Sequence, residues 1–134
     1  LSRKATKAAL RLARDFQATL HVINVQPPYT IPFAGEVAIP AMYDRGEYEV
    51  AAKEAGDKVL SEVTRQAEAM GLQYKVVFRM DAVPSKAIVD AAKRRRVDLI
   101  VMAMHKRAMF TSMLLGSETH SVLSGCSIPV LVHR

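Results

Sequence analysis

The chain has 134 residues, 50% of them hydrophobic and 24% charged, which suits one globular domain with a buried core and excludes a disordered chain. A single cysteine, Cys126, excludes a disulfide or an all-cysteine metal centre within this chain, and no apolar run reaches the roughly 18 to 20 residues of a membrane span, so a cytosolic setting is expected. The net charge of +6 raises the question of nucleic acid, but with 6% aromatic residues and none interleaved with the basic runs there is no platform for stacked bases, and specific nucleic-acid binding is not expected.

Ala5, Ala8, Ala9, Leu12, Ala13 and Phe16 recur at helical spacing and predict an opening helix with a narrow apolar side, while Arg3, Lys7, Arg11 and Arg14 form its basic stripe. The segment is basic throughout and lacks the apolar centre of a secretory signal. TLHVINV, Thr19 to Val25, is too uniformly apolar for a half-exposed strand and reads as a parallel strand covered on both faces. Pro27 to Asp44 holds four prolines and reads as a long connecting loop.

A second helix follows, with Tyr48, Ala52, Ala55, Val59, Val63, Ala67 and Met70 as its apolar stripe and Gly71 at the expected left-handed C-terminal cap. YKVVFRM alternates Tyr74, Val76, Phe78 and Met80 against a wetter Lys75, Val77 and Arg79, the pattern of a strand near a sheet edge. Pro84 suits the first turn of a third helix, with Ile88, Ala91 and Ala92 inward and Arg94 to Arg96 complementing the dipole at its end. VDLIVMAM, Val97 to Met104, is a buried strand; a helix ends near Gly125, and SIPVLVHR closes as a strand. Helices thus alternate with strands, the order of an α/β chain with parallel strands and right-handed crossovers.

VDLIVMAMHKR, LLGSETHSVL and CSIPVLVHR resemble, in register, three conserved-type segments of the universal stress protein family: Asp-Leu-Ile-Val-Met-Gly-x-His-Gly-Arg, Leu-Leu-Gly-Ser followed by Val-Leu, and Cys-Pro-Val-Leu-Val-Val-Arg. AALRLARDFQATLHVINVQPP is similar to the family's first helix and the strand after it, and Ala82-Val83-Pro84 stands at its Gly-x-Pro turn. The resemblance covers essentially the whole chain as one UspA-like domain, residues 1–134. It implies a flavodoxin-like or Rossmann-like doubly wound parallel sheet in three α/β/α layers. It also implies a further strand upstream of Leu1, ending in a ligand-contacting Asp, so that the sequence is expected to be a fragment lacking one central strand.

Nucleotide-binding members of that family carry Gly-x-x-Gly-x9-Gly-[Ser/Thr], and here the four positions are Ala103, Lys106, Gly116 and Ser117. Glycines let the backbone approach phosphates, and the final pair sets phosphate on a helix N-terminus. The second pair survives and the first does not: Ala103 adds a methyl and Lys106 a long side chain where the family needs open space. Val25 and Met102 match positions whose backbone would hold adenine, but read equally well as strand-end core residues. Met102, Met104, Met109 and Met113 with Phe110 supply flexible apolar bulk to fill a vacated pocket or form a contact surface. Ser117 is expected to be the N-cap of the following helix.

Catalytic and metal signals are poor. Ser117 and His120 have no nucleophile elbow or oxyanion loop, and His21, His105, His120 and His133 lack metal-ligand spacing; Asp98 reads as structural. The expectation is a non-enzymatic cytosolic stress-response homodimer with no cofactor, protein clients and weak or absent ATP binding. The alternatives are an ATP-binding switch, with slow hydrolysis at most, and the regulatory domain of a larger transporter or kinase. Val130, Leu131, Val132 and His133 form the expected dimer edge, with Ile128, Val130 and Val132 on one face, Leu131 on the other and no mid-strand charge to discourage pairing.

Overall fold

A computed structural model describes residues 3–30, 33–34, 37–38, 44–103 and 116–133, with only the backbone described at 33–34 and 37–38. Its elements run α1 (Arg3–Asp15), β1 (Leu20–Gln26), β2 (Phe33–Ala34), β3 (Val37–Ala38), α2 (Arg45–Ala69), β4 (Tyr74–Met80), α3 (Pro84–Arg94), β5 (Ile100–Ala103), α4 (Ser117–Gly125) and β6 (Val130–His133). The alternation read from the periodicity is therefore present. The addition is β2 and β3, a two-pair antiparallel ladder inside the segment expected to be loop.

Two parallel ladders carry the fold. β1 pairs with β4 from Leu20↔Tyr74 to Gln26↔Met80, and β5 pairs with β6 from Ile100↔Val130 to Ala103↔His133. The other edges of β1 and β5 pair with no strand among the described residues. α2 packs on one face of β1 and β4, where Val22, Leu60 and Val63 form a core joined by Leu20 and Phe78. α3 reaches β1 and packs along α4, and Val89, Ala92, Ile100 and Val122 form a second core. α1 touches β1, β5 and β6, so one short helix spans both ladders. β1 is thus contacted by α1, α2 and α3, but of its residues only Val22 is buried, where its apolar run implied burial on both faces.

Three expected faces shift. In α1 Phe16 lies past the last turn and is 76% exposed, whereas Leu10 is buried, because the helix stops at Asp15 and the chain reverses through Gln17 at φ 52°. In α2 Ala55 is exposed and Gly56, Leu60, Val63 and Ala67 are buried. Gly56 sets that rotation: a Cβ there would stand 2.5 Å from the Phe78 ring, so only glycine lets the helix lie this close to β4. In β4 the face expected to be wetter holds buried Val77, and Val76 is 44% exposed. Gly71, at φ 66°, ends α2 in the left-handed conformation expected of it, and Pro84 takes the first position of α3.

Candidate functional site

Open α/β folds gather ligands outside the carboxyl ends of their strands, where helix N-termini also point. Val25 is the penultimate residue of β1, and Met102 and Ala103 are the last two of β5. All three are half-buried; Met102 packs on the Val89–Val122 core, and Ala103 pairs with His133. Lys106, Arg107, His105 and the Met104, Met109, Phe110 and Met113 cluster lie outside the described residues. The structure therefore places five of the six expected nucleotide positions at strand ends or at a helix start.

Gly116, not Ser117, is the N-cap of α4: it has the extended conformation φ −63°, ψ 150°, and its carbonyl accepts the first helical bond from His120 N–H at 3.0 Å. Ser117 is the first helical residue and is exposed. A glycine cap has no side-chain oxygen of its own; among the described residues no side chain caps α4, and no described atom lies within 4 Å of where a Cβ on Gly116 would stand.

Its neighbours are capped. At α2 the Asp44 carboxylate accepts Glu47 N–H at 2.8 Å and Glu47 reaches back to the Asp44 amide at 3.4 Å, a reciprocal capping box. At α3 the Val83 cap has no oxygen to offer, and the vacancy is filled from another helix: Ser85 N–H donates to Glu118 Oε2 at 2.8 Å. Asp81 shapes the approach by accepting Val83 N–H at 2.9 Å. Glu118 thus turns its charge toward α3, and the starts of α3 and α4 are tied together.

Leu131 is 40% exposed on β6 while Val130 and Val132 are half-buried, as alternation along an edge strand requires. Among the described residues no group of three or more His, Cys, Asp or Glu side chains could hold a metal, and no helix is long and apolar enough to cross a membrane.

The universal stress protein family model matches residues 1–134. The chain belongs to the universal stress protein family. It is similar to universal stress protein MJ0531 of Methanocaldococcus jannaschii, at 30% identity over 98% of this chain and 74% of that protein. A second relative, universal stress protein YxiE of Bacillus subtilis, is also 30% identical, over 100% of this chain and 91% of its own. Among solved structures, a universal stress protein from Burkholderia pseudomallei superposes with a TM-score of 0.73 at 22% identity, covering 97% of this chain and 84% of that one, which supports a Rossmann-like α/β fold. Two further members were solved with nucleotide. One is a complex with cAMP, TM-score 0.63, 20% identity, 98% and 85% coverage; the other, from Archaeoglobus fulgidus, is a complex with dAMP, TM-score 0.63, 16% identity, 97% and 85% coverage.

In this universal stress protein, Glu118 is the site residue that sequence reasoning missed. Its partner is 33 positions away, so no local spacing reveals it. The available signal was indirect: a Val-Pro helix start with no capping side chain needs an acceptor from elsewhere in the fold.

Proposed function

We propose that this universal stress protein acts by assembly and not by catalysis, as a homodimer joined through β6 whose degraded nucleotide loop holds ATP weakly or not at all. The observation that carries the reading is Leu131, a large apolar side chain 40% exposed on an edge strand with no mid-strand charge. Pairing β6 with its two-fold copy would bring the two Leu131 side chains into the covered seam. Replacing Leu131 with Lys is expected to convert dimers to monomers in sedimentation velocity. A monomeric wild type at micromolar concentration, or a fully dimeric variant, would refute the interface.

A second reading, an adenine-nucleotide-responsive protein, is favoured by the start of α4, which no side chain among the described residues caps. A single phosphate needs only amides and a dipole of that kind, and the two solved relatives that carry cAMP and dAMP bear one phosphate each. The residues fit a phosphate at Gly116 and Ser117 and fit poorly at Ala103, whose methyl occupies the place of the family's first loop glycine. Calorimetric titration with AMP, cAMP and ATP separates the two readings: monophosphate binding tighter than ATP binding supports the second, and no binding of any supports the first.

A further inference from the structure

A groove of ≈ 1020 Å³ runs between the first turns of α1 and the last three turns of α2. Arg3 and Lys7, four residues apart, line one wall, and Lys58, Glu62 and Arg65 line the other. The carboxylates of the groove are already engaged. Glu62 accepts from Arg65 at 2.9 Å and from Gln66 at 3.0 Å, which with nearby Arg3 holds its pKa below the usual carboxylate range, and Glu68 accepts from the Tyr74 hydroxyl. Arg65 is likewise occupied. Among the described residues no carboxylate pairs with Lys7 or Lys58, so the groove presents cations that the fold itself does not neutralise. Between them lie the buried side chain of Val63 and the half-buried Val59, an apolar floor.

We propose that this groove docks an acidic, extended peptide segment of a partner protein, its carboxylates meeting Lys7 and Lys58 and an apolar side chain resting on Val59 and Val63. The wall from Lys58 to Glu68 rises about 15 Å, room for roughly four or five extended residues. A peptide fits better than a nucleic acid on two counts. No aromatic side chain lines the groove to stack a base, and the Glu62 and Glu68 carboxylates would face a uniformly charged phosphate backbone, whereas a peptide can space its charges to avoid them. This surface is separate from the β6 edge and from the start of α4, so it stands or falls independently of both readings above.

The test is fluorescence anisotropy with a labelled ten-residue peptide in which Glu alternates with Ser and Leu. Binding is expected to weaken about tenfold or more in Lys7→Glu/Lys58→Glu, and to fall with added salt, as for other charge-steered contacts. Lys7→Gln/Lys58→Gln, a milder change, is expected to weaken it less, and circular dichroism verifies that both variants are folded. A control pair at the end of α3, Arg94→Glu/Arg96→Glu, is expected to leave binding within about twofold. Absence of binding by the wild type, equal loss from the control pair, or tighter binding of a single-stranded oligonucleotide of equal charge would each overturn the proposal.

Discussion

In the β1–β4 ladder seven residue pairs lie side by side, α2 presses close enough to exclude a single methyl at Gly56, and its first turn is closed by a capping box. In the β5–β6 ladder there are four pairs, α4 has nine residues, and no side chain among the described residues caps its first turn. Both halves have buried cores, so the contrast is not one of folded against loose. Close approach and a capping box are found in the half built as scaffold, and at the expected phosphate position in the other half the described residues supply neither a side-chain cap nor an atom beside Gly116. Local stability and ligand capacity compete for the same groups, because an amide capped by the protein's own oxygen is not available to a phosphate.

The largest effect that would break this comparison is at Gly56. Gly56→Val must push the Phe78 ring or lift α2, and overpacking of this kind is expected to cost about 2 to 3 kcal/mol in urea denaturation. In the other half Gly125 has no described atom within 4 Å of its missing Cβ, and Gly125→Ala is expected to change stability by no more than about 0.5 kcal/mol. Equal effects at the two glycines would mean that the halves are packed alike.

Next in size is the cap shared between helices. Glu118→Ala removes the acceptor of Ser85 N–H and is expected to cost about 1 kcal/mol, with faster amide exchange at Ser85 and the first turn of α3. Glu118→Gln keeps an acceptor without the charge and is expected to lose less. Unchanged exchange at Ser85 in the alanine variant would mean that the bond does not hold α3.

A smaller effect is expected at the other end of the scaffold half. His21, the second residue of β1, pairs with Lys75 on β4 and feels the Arg95 guanidinium after α3, and its Nδ1 is buried with no hydrogen-bond partner among the described residues. Burial first, then Arg95 and Lys75, hold its pKa below the ordinary 6.5. The folded chain therefore keeps the imidazole neutral while the unfolded chain takes up a proton as the pH falls through 6.5. The stability tied to His21 is present above that pH and is lost below it. Urea midpoints at pH 7.5 and 5.5 are expected to differ more for the wild type than for His21→Leu, and an identical difference in both would remove His21 from the account.

The element order was legible because each segment keeps one period for its full length, and Gly71 and Pro84 mark their helix ends by backbone chemistry alone. The faces were less legible where alanine dominates. Ala52 and Ala55 are credible on either side of α2, since a methyl is tolerated in water or in a core, and the rotation is decided by Leu60 and by the approach of Gly56 to Phe78, a contact across 22 positions. At the candidate site Gly116 and Ser117 were legible as a helix start, but which of them is the cap depends on where the backbone turns helical, and the signal there is one residue wide. Ser117 is the better capping side chain; Gly116 nonetheless holds the cap position. Glu118 was not legible because its role exists only once α3 and α4 lie side by side.

The last prediction puts a cap where the fold has left one out. Gly116 has φ −63° and ψ 150°, a conformation open to any residue, and its Cβ direction meets no described atom, so Gly116→Asp introduces no strain that the described residues impose. An Asp at that position would turn its carboxylate onto the amide of Glu118 or Thr119, as Asp44 does for Glu47 at the start of α2. Because glycine is itself a tolerable cap, the gain is expected to be only a few tenths of a kcal/mol, with a further small contribution from negative charge at the positive end of the dipole. The same carboxylate would occupy the amides that a phosphate needs and repel the phosphate charge. Thermal denaturation and calorimetric titration with AMP, run on one preparation, therefore test both sides of the comparison. A slightly more stable variant that has lost whatever AMP binding the wild type has would show that stability and ligand capacity draw on the same amides. A variant destabilised by more than about 1 kcal/mol would show that the start of α4 is already filled, and the contrast with α2 would fail with it.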